Sequence, residues 1–516
     1  MQAVIALCHF CEKHGPRVLL VCQPVGVGCE EGPSTAGQPP EDENRCAACT
    51  SIQEPITTYD DEMQVRYITT QVPIDRPVNE RVRYSCMRSL SIEMGTPQKD
   101  PDKTFTKAMD RLSLNDGGGA DRDGIVLFAD SQFGCTLSLA FKLRDSKARG
   151  FLRSYSLIAV GSEPMYILNN YDFLVNTMTI MKSRLQELAM AKYRLEMDES
   201  NDLLRPENAS RANIMPNSIF KKAKNEINPL RDLRTIVSDD SIWSNMHRQM
   251  MWTLRTQSLR CSEDMLEGMP TQDMLVLREL PEKKVGELEL RNENQYEVTL
   301  RQLDNLKVIA KCTDRYQLDI LLYHIITGGQ VVAQGERYAT RAFLLALSNL
   351  LPIGCLKIRH YSDRYEHSYK YNLLGVPVGT RIPREAEDAL VCVLKGEVDD
   401  SSPVISLIDV ILSFRRLPSR LPSSRPALLI RFAQLLLDEE VSENVLESTI
   451  RSAREIWLAK AKRMYQLTHG SAPRDTLSIL RTLHVHEEDR PVLVYWQSGL
   501  AQLCLQRVAA DFCRSA

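Results

Sequence analysis

The sequence lacks every short motif that marks a self-contained enzyme. It contains no G-x-x-x-x-G-K-[ST] phosphate loop, no H-E-x-x-H helix and no G-x-S-x-G elbow. That excludes the common phosphate-cradling, zinc-protease and serine-hydrolase arrangements. It also lacks net charge: 64 Lys and Arg face 67 Asp and Glu, giving −3 over 516 residues. A chain-wide basic surface for nucleic acid is therefore not expected. Long apolar runs are missing as well, whereas a membrane-spanning helix needs about 20 mainly apolar residues. The best candidates, A-F-L-L-A-L-S-N-L-L-P-I-G and A-L-L-I-R-F-A-Q-L-L-L, are short and interrupted. The opening M-Q-A-V-I-A-L-C-H-F has no basic region before it, and Glu12, Lys13 and His14 follow at once. It reads as a strand rather than a signal peptide. The glycine run at 117–119 sits in an acidic loop, not between a strand and a helix, and makes a poor phosphate site.

What remains is an ordinary globular composition, 43% hydrophobic and 25% charged. The length predicts two to four domains, at roughly 100–200 residues each. Fourteen cysteines without a secretion signal point to a reducing compartment and free thiols. Two C-x-x-C pairs are present, Cys8/Cys11 and Cys46/Cys49. A zinc site needs four ligands at compatible spacing; Cys8 lies in a strand-like run and the second pair in a Pro/Gly/Glu-rich insert, so the expectation is ordinary thiols, with a structural zinc as the lesser alternative. His484 and His486, before Glu487, Glu488 and Asp489, read as a solvated helix boundary.

Strand signals come first. A-V-I-A-L-C-H-F and V-L-L-V-C flank the turn H-G-P-R and predict a hairpin. Residues 24–62 and 95–123 lose periodicity and predict disordered inserts. Between and after them, Q-V-R-Y-I-T-T-Q-V, I-V-L-F-A-D, C-T-L-S-L-A-F-K-L and Y-S-L-I-A-V-G predict further strands. A long helix follows, with Leu174, Met178, Met181, Leu185, Leu188 and Leu195 on one face. The expected divisions are an α/β layer domain over 1–200, a linker over 201–235, an α/β core over 236–400 and a helical part over 401–516. In the second half, Ser238, Asp239 and Asp240 cap a helix. Y-H-I-I-T ends at Gly328-Gly329, and Q-V-V-A, I-G-C-L-K-I-R-H-Y and A-L-V-C-V-L-K read as strands. Leu446, Ile450, Ala453, Trp457, Met464 and Leu467 mark a C-terminal helix, with Ser442 as cap.

One segment stands out chemically. In R-D-S-K-A-R-G-F-L-R, Arg144, Lys147, Arg149 and Arg153 crowd a loop between two strands. The plain reading is a solvated connection: Asp145 and Ser146 start a turn, Gly150 permits a left-handed backbone, and the cations face water. The chemical reading is an arginine finger. A guanidinium inserted into a GTPase neutralises the charge spread over the transferring phosphoryl oxygens and contributes roughly 10³–10⁵ in rate.

Several blocks resemble one family. A-L-C-H-F-C-E-K-H-G-P-R at the N-terminus, C-M-R-S-L-S at 86–91 and D-S-K-A-R-G-F-L-R-S-Y-S are similar to segments of the folliculin family. V-S-D-D-S-I-W, L-E-G-M-P-T-Q-D-M-L-V, Y-H-I-I-T-G-G-Q-V-V, L-P-I-G-C-L-K-I and Y-K-Y-N-L-L-G continue the likeness, in family order, to about residue 376. The resemblance implies an α/β fold: an N-terminal longin domain, an antiparallel sheet covered by helices, then a DENN domain with a helical C-terminal layer. It implies a GTPase-activating protein for RagC/RagD in amino-acid sensing and mTOR signalling, as in a tumour-suppressor lineage. Implied partners are a folliculin-interacting protein, in an elongated heterodimer, and the Rag heterodimer with Ragulator. Nucleic acid, cofactors and direct membrane insertion are not implied. The implied location is the cytoplasm, with recruitment to the lysosome and the nucleus as a second place. The family's D-S-x-A-R-G-F element places the finger at Arg149, supported by Asp145, Ser146, Gly150 and Phe151. Arg144, Lys147 and Arg153 keep the plain reading, local field at most. Ser154 stands where the family's pattern has Trp, and Ile92-Glu93-Met94-Gly95 stands where it has a further C-x-x-C. The acidic linker around 281–300 is short. Two other readings compete: a Rab exchange factor working through the C-terminal half, and a non-catalytic scaffold. GTP hydrolysis separates the first reading from both, and nucleotide release separates the exchange factor.

Overall fold

The computed structural model describes residues 3–26, 46–92, 124–203, 230–260, 302–396, 407–417, 421–468 and 475–499, except 62, 131, 387, 408 and 409. The chain divides into two compact units, Met1–Cys261 and Ser262–Ala516.

The first unit is built on a seven-stranded sheet in the order β3-β4-β2-β1-β7-β6-β5. Its strands are β1 (Val4–Cys11), β2 (Gly15–Gly26), β3 (Ile56–Asp60), β4 (Val65–Thr70), β5 (Gly124–Asp130), β6 (Gly134–Arg144) and β7 (Leu152–Gly161). Every neighbouring pair is antiparallel. β1, β6 and β7 are buried on both faces, which is why they read as continuous apolar runs rather than alternations. One face packs Val4, Ala6, Cys8, Ile158 and Val160 against Val82, Cys86 and Leu90 of helix α1 (Arg76–Ile92). The sequence alone leaves this helix unassigned, because it is polar overall. Its apolar positions recur every four residues, and Ser85 and Ser89 on the same side are buried against Thr136, Ser138 and Ser156 of the sheet. A short helix, α2 (Pro164–Leu168), leads into α3 (Tyr171–Leu203), which packs on β6 and β7. Leu174, Met178, Met181, Leu185 and Ala189 form its buried stripe. Leu195, expected on that stripe, is exposed, because the helix outruns the sheet.

The insert expected to be disordered from 24 to 62 is partly ordered. β2 runs on to Gly26, a 3₁₀ turn forms at Ala47–Cys49, and β3 is an edge strand. Residues 95–123 lie outside the described residues. So does most of the expected linker, but α4 (Leu233–Val237) falls within it and packs on α3. Helix α5 (Ile242–Arg260) belongs to the first unit, not to the second as the expected boundary at 236 had it. Polar ties fix it there: His247 bridges the Thr58 and Thr69 hydroxyls at 2.8 and 2.7 Å, and Arg255 pairs with Asp60 at 2.6 Å.

The second unit holds a five-stranded sheet in the order β12-β11-β8-β10-β9. β8 (Val331–Gln334), β9 (Ile358–Arg359), β10 (Leu373–Val376) and β11 (Leu390–Lys395) pair in parallel, and β12 (Ile411–Arg416) adds an antiparallel edge. The strand expected across 353–361 shrinks to a 3₁₀ turn, Ile353–Cys355, and the two residues of β9. Helix α6 covers 302–311 and α7 is Arg315–Ile326, whose start is fixed by a capping box between Asp314 and Gln317. Gly328 follows α7 at φ +88°, and a Cβ on Gly329 would meet the His324 ring at 2.3 Å, so this turn requires glycine. Later helices are α8 (Arg337–Ser348), α9 (Ala427–Leu437), α10 (Glu443–Thr468), α11 (Thr476–Thr482) and α12 over 490–499. Leu446, Ile450, Ala453, Trp457 and Met464 are buried along α10. At the helix boundary around His484 and His486, the His486 amide donates to Asp489 at 3.0 Å.

Candidate functional site

The cationic segment closes the β6–β7 hairpin. The ladder ends at Arg144↔Leu152, so residues 145–151 form the loop. Asp145 organises it. Its carbonyl accepts from the Ala148 amide and its carboxylate from the Lys147 amide, both at 3.1 Å. Asp suits the first position of such a turn because its short side chain reaches the backbone two residues on. The chain then enters a single 3₁₀ turn, Arg149–Phe151. Gly150 sits at φ 73°, with open space where a Cβ would be. Phe151 follows at φ 59°. A bulky residue in the left-handed region is strained. Phe151 is half exposed, with its ring edge-on to Tyr193 at 6.2 Å.

Beneath the loop lies a buried ionic network. Asp145 is fully enclosed, and Arg153 Nε donates to it at 2.5 Å. Arg231 donates to Asp145 at 2.9 Å and to Glu196 at 2.7 Å. The Ser146 hydroxyl also donates to Glu196. Hydrogen bonds from Arg231 hold the Glu196 carboxyl below the usual range, against the opposing effect of burial. The Arg144 guanidinium lies over the Tyr193 ring at 5.9 Å.

The four cations therefore have different situations. Arg153 does not face water, as the plain reading of the loop had it: it is 7% exposed and neutralises a buried carboxylate. Arg144 leans on an aromatic ring. Lys147 is exposed. The backbone sets Arg149 between buried Ala148 and exposed Gly150, at the start of the 3₁₀ turn. The supporting residues named from sequence, Asp145, Ser146, Gly150 and Phe151, all fall in this one loop. Arg231, Glu196 and Tyr193 were not foreseen. They lie 86, 50 and more than 40 residues from their loop partners, and no local pattern links them.

A second cluster lies in the same unit. Cys11, His14, Cys46 and Cys49 converge, with their ligand atoms all within 4.8 Å of one another. The expectation of ordinary thiols at these positions missed this convergence. The C-x-x-C spacing of Cys8 and Cys11 does not bring those two together in this cluster. Cys8 packs in the core beside Val82 and Cys86 of α1. Residues three apart on a strand point to opposite faces.

The arrangement defines a class: a longin unit, whose antiparallel sheet carries the cationic hairpin loop, followed by a DENN-like unit of parallel strands and helices. The model of the folliculin family, described as a vesicle coat protein involved in Golgi to plasma membrane transport, matches residues 65–257. The folliculin C-terminal domain model matches residues 301–508. The chain belongs to the folliculin family. Folliculin from Homo sapiens is 25% identical over 97% of this chain and 96% of its own length. Folliculin from Rattus norvegicus is 26% identical, with the same coverage. Protein LST7 from Saccharomyces cerevisiae is 28% identical over 157 residues, 30% of this chain and 55% of that protein.

Proposed function

We propose that the protein activates a Rag-type GTPase, RagC or RagD, by supplying Arg149 in trans as an arginine finger. The observation that carries this reading is the loop itself. A rigid, ion-paired base under a turn at Gly150 suits the presentation of one cation, while two of its neighbours are engaged elsewhere. The transition state asks for a permanently charged, forked donor, which arginine is and lysine is not. Membership of the folliculin family supports a GTPase-regulating role. The partner in this reading is a folliculin-interacting protein, and the complex acts on Rag GTPases at the lysosome. No helix among the described residues is long and apolar enough to cross a membrane, so recruitment there would run through the GTPases.

The test is single-turnover GTP hydrolysis by a Rag heterodimer, with the chain and its partner at matched concentration. Arg149→Ala is expected to remove most of the stimulation, on the order of 10³-fold if the finger supplies its usual share, while complex formation is retained. Wild-type hydrolysis by Arg149→Ala would sink the assignment. Release of labelled nucleotide without hydrolysis would instead favour an exchange factor.

A further inference from the structure

The cluster at Cys11, His14, Cys46 and Cys49 has the dimensions of a metal centre. His14 Nδ1 lies 3.6 Å from the Cys11 sulfur, 3.5 Å from Cys46 and 3.4 Å from Cys49. The Cys46 sulfur lies 3.6 Å from Cys11 and 3.5 Å from Cys49. A disulfide needs about 2.05 Å, so none of these thiols is bonded to another. A tetrahedral zinc ion takes sulfur at about 2.3 Å and imidazole nitrogen at about 2.0 Å. The edges of that tetrahedron are about 3.8 Å between sulfurs and about 3.6 Å from sulfur to nitrogen. The observed separations fall at or slightly inside those edges. Thiols and an imidazole offer one another only weak hydrogen bonds, so their mutual attraction does not explain why four of them gather.

From this geometry we infer that Cys11, His14, Cys46 and Cys49 form a structural zinc site. The donors are three thiolates and one imidazole, a soft set that selects zinc over hard cations. Four protein ligands close the tetrahedron and leave no position for substrate, which makes the site structural rather than catalytic. Each ligand is placed by backbone structure. Cys11 ends β1, and His14 stands in the turn before Gly15, whose φ is +70°. Cys46 and Cys49 bracket the 3₁₀ turn that brings the chain back after β2, with the Cys49 amide donating to the Cys46 carbonyl at 3.0 Å. Outer groups hold the second pair: the Cys46 carbonyl accepts from Thr50 Oγ1 at 3.2 Å, and the Cys49 carbonyl from buried Gln71 Nε2 at 2.6 Å. The metal would clip the turn at Cys46–Cys49 to the first hairpin, at the end of the sheet that also carries the β6–β7 loop. The site stands whether or not Arg149 acts on a GTPase.

The experiment uses the purified full chain. Metal analysis by mass spectrometry is expected to find about one zinc ion per chain. The double variant Cys46→Ser, Cys49→Ser is expected to lose at least about tenfold in bound zinc. Cys8→Ser is expected to keep it. Replacing zinc by cobalt should give thiolate-to-cobalt charge-transfer bands with intense tetrahedral d–d bands, absent from the double variant. If that variant does not fold, alkylation of the wild-type chain decides. Cys11, Cys46 and Cys49 should resist alkylation until a chelator is added, whereas exposed Cys312 should react throughout. Zinc below about a tenth of an equivalent after incubation with added zinc, or equal alkylation of these thiols with and without it, would overturn the site.

Discussion

At the scale of single residues, two buried polar groups of the first unit, Asp145 and His247, act by different means. Asp145 is enclosed between Arg153 and Arg231. Removing one partner of a buried pair leaves uncompensated charge and costs about 3–5 kcal/mol. Asp145→Ala is therefore expected to lower the denaturation midpoint of the first unit sharply, with Asp145→Asn also destabilised because it keeps shape but not charge. Denaturant unfolding checks this; a change within about 0.5 kcal/mol, the range of a surface substitution, would contradict it. The role of Asp145 as turn starter was legible in the sequence. Its role as counter-ion was not, because Arg231 lies 86 residues away. His247 works through protons. Burial first, and the nearby Arg248 charge second, push its pKa down from 6.5 to about 4. The unfolded chain thus binds a proton at a pH where the folded chain refuses it, and stability rises with pH across that window. The contribution, about 3 kcal/mol at most, is full above about pH 6.5 and is lost as pH falls towards 4. His247→Gln is expected to flatten the fall in melting temperature between pH 7 and pH 5. His9, pushed down to about 3 first by burial, adds to the same slope, so the variant keeps part of it.

At the scale of elements, periodicity revealed what burial dictates and little more. The core strands were legible because both their faces are apolar, and α3 and α10 because their stripes repeat at helical spacing. Helix α1 was hidden because half of its buried side consists of serines that hydrogen-bond to the sheet. The 353–361 segment alternates like a strand, yet a 3₁₀ turn takes its first part. The loop at 145–151 was legible as a loop, but its cations could not be ranked without their neighbours. That ranking makes a prediction. Arg149→Lys should fail to restore GTP hydrolysis, since an ammonium is a point charge that cannot fork across two phosphoryl oxygens. Lys147→Ala, which removes an exposed charge, and Arg144→Ala, which removes a charge over Tyr193, should alter association more than hydrolysis. Their effect should shrink as salt rises, because the Debye length falls from about 10 Å at 0.1 M to about 3 Å at 1 M. Stimulation measured over a salt series separates the two behaviours. A Lys147→Ala defect as deep as that of Arg149→Ala at saturating complex would move the chemistry to the wrong residue.

At the scale of the whole molecule, the border between the two compact units was not legible. The chain crosses from one unit to the next near residue 261 rather than 236, because α5 is tied by His247 and Arg255 to β3 and β4. Those ties join residues almost 200 positions apart, and no local signal carries them. Each unit ends its sheet in an edge strand. β5 pairs only with β6 among the described residues and exposes Leu127, and β12 pairs only with β11 and exposes Ile411. Exposed edges with apolar side chains invite a further strand from a partner. The proposed partner, a folliculin-interacting protein, would then be bound through sheet edges. Leu127→Asp places a smaller, charged side chain on an already exposed position, so the fold should tolerate it. The substitution is expected to weaken co-purification with that partner at least about tenfold, or about 1.4 kcal/mol. Circular dichroism and the melting temperature of the isolated chain should not change. Light scattering of the co-expressed pair reads the outcome: wild type should elute as a heterodimer and the variant as separate chains. A variant that binds as tightly as wild type would show that the β5 edge faces water in the complex, and the partner must be sought on the β12 edge or on the helical faces.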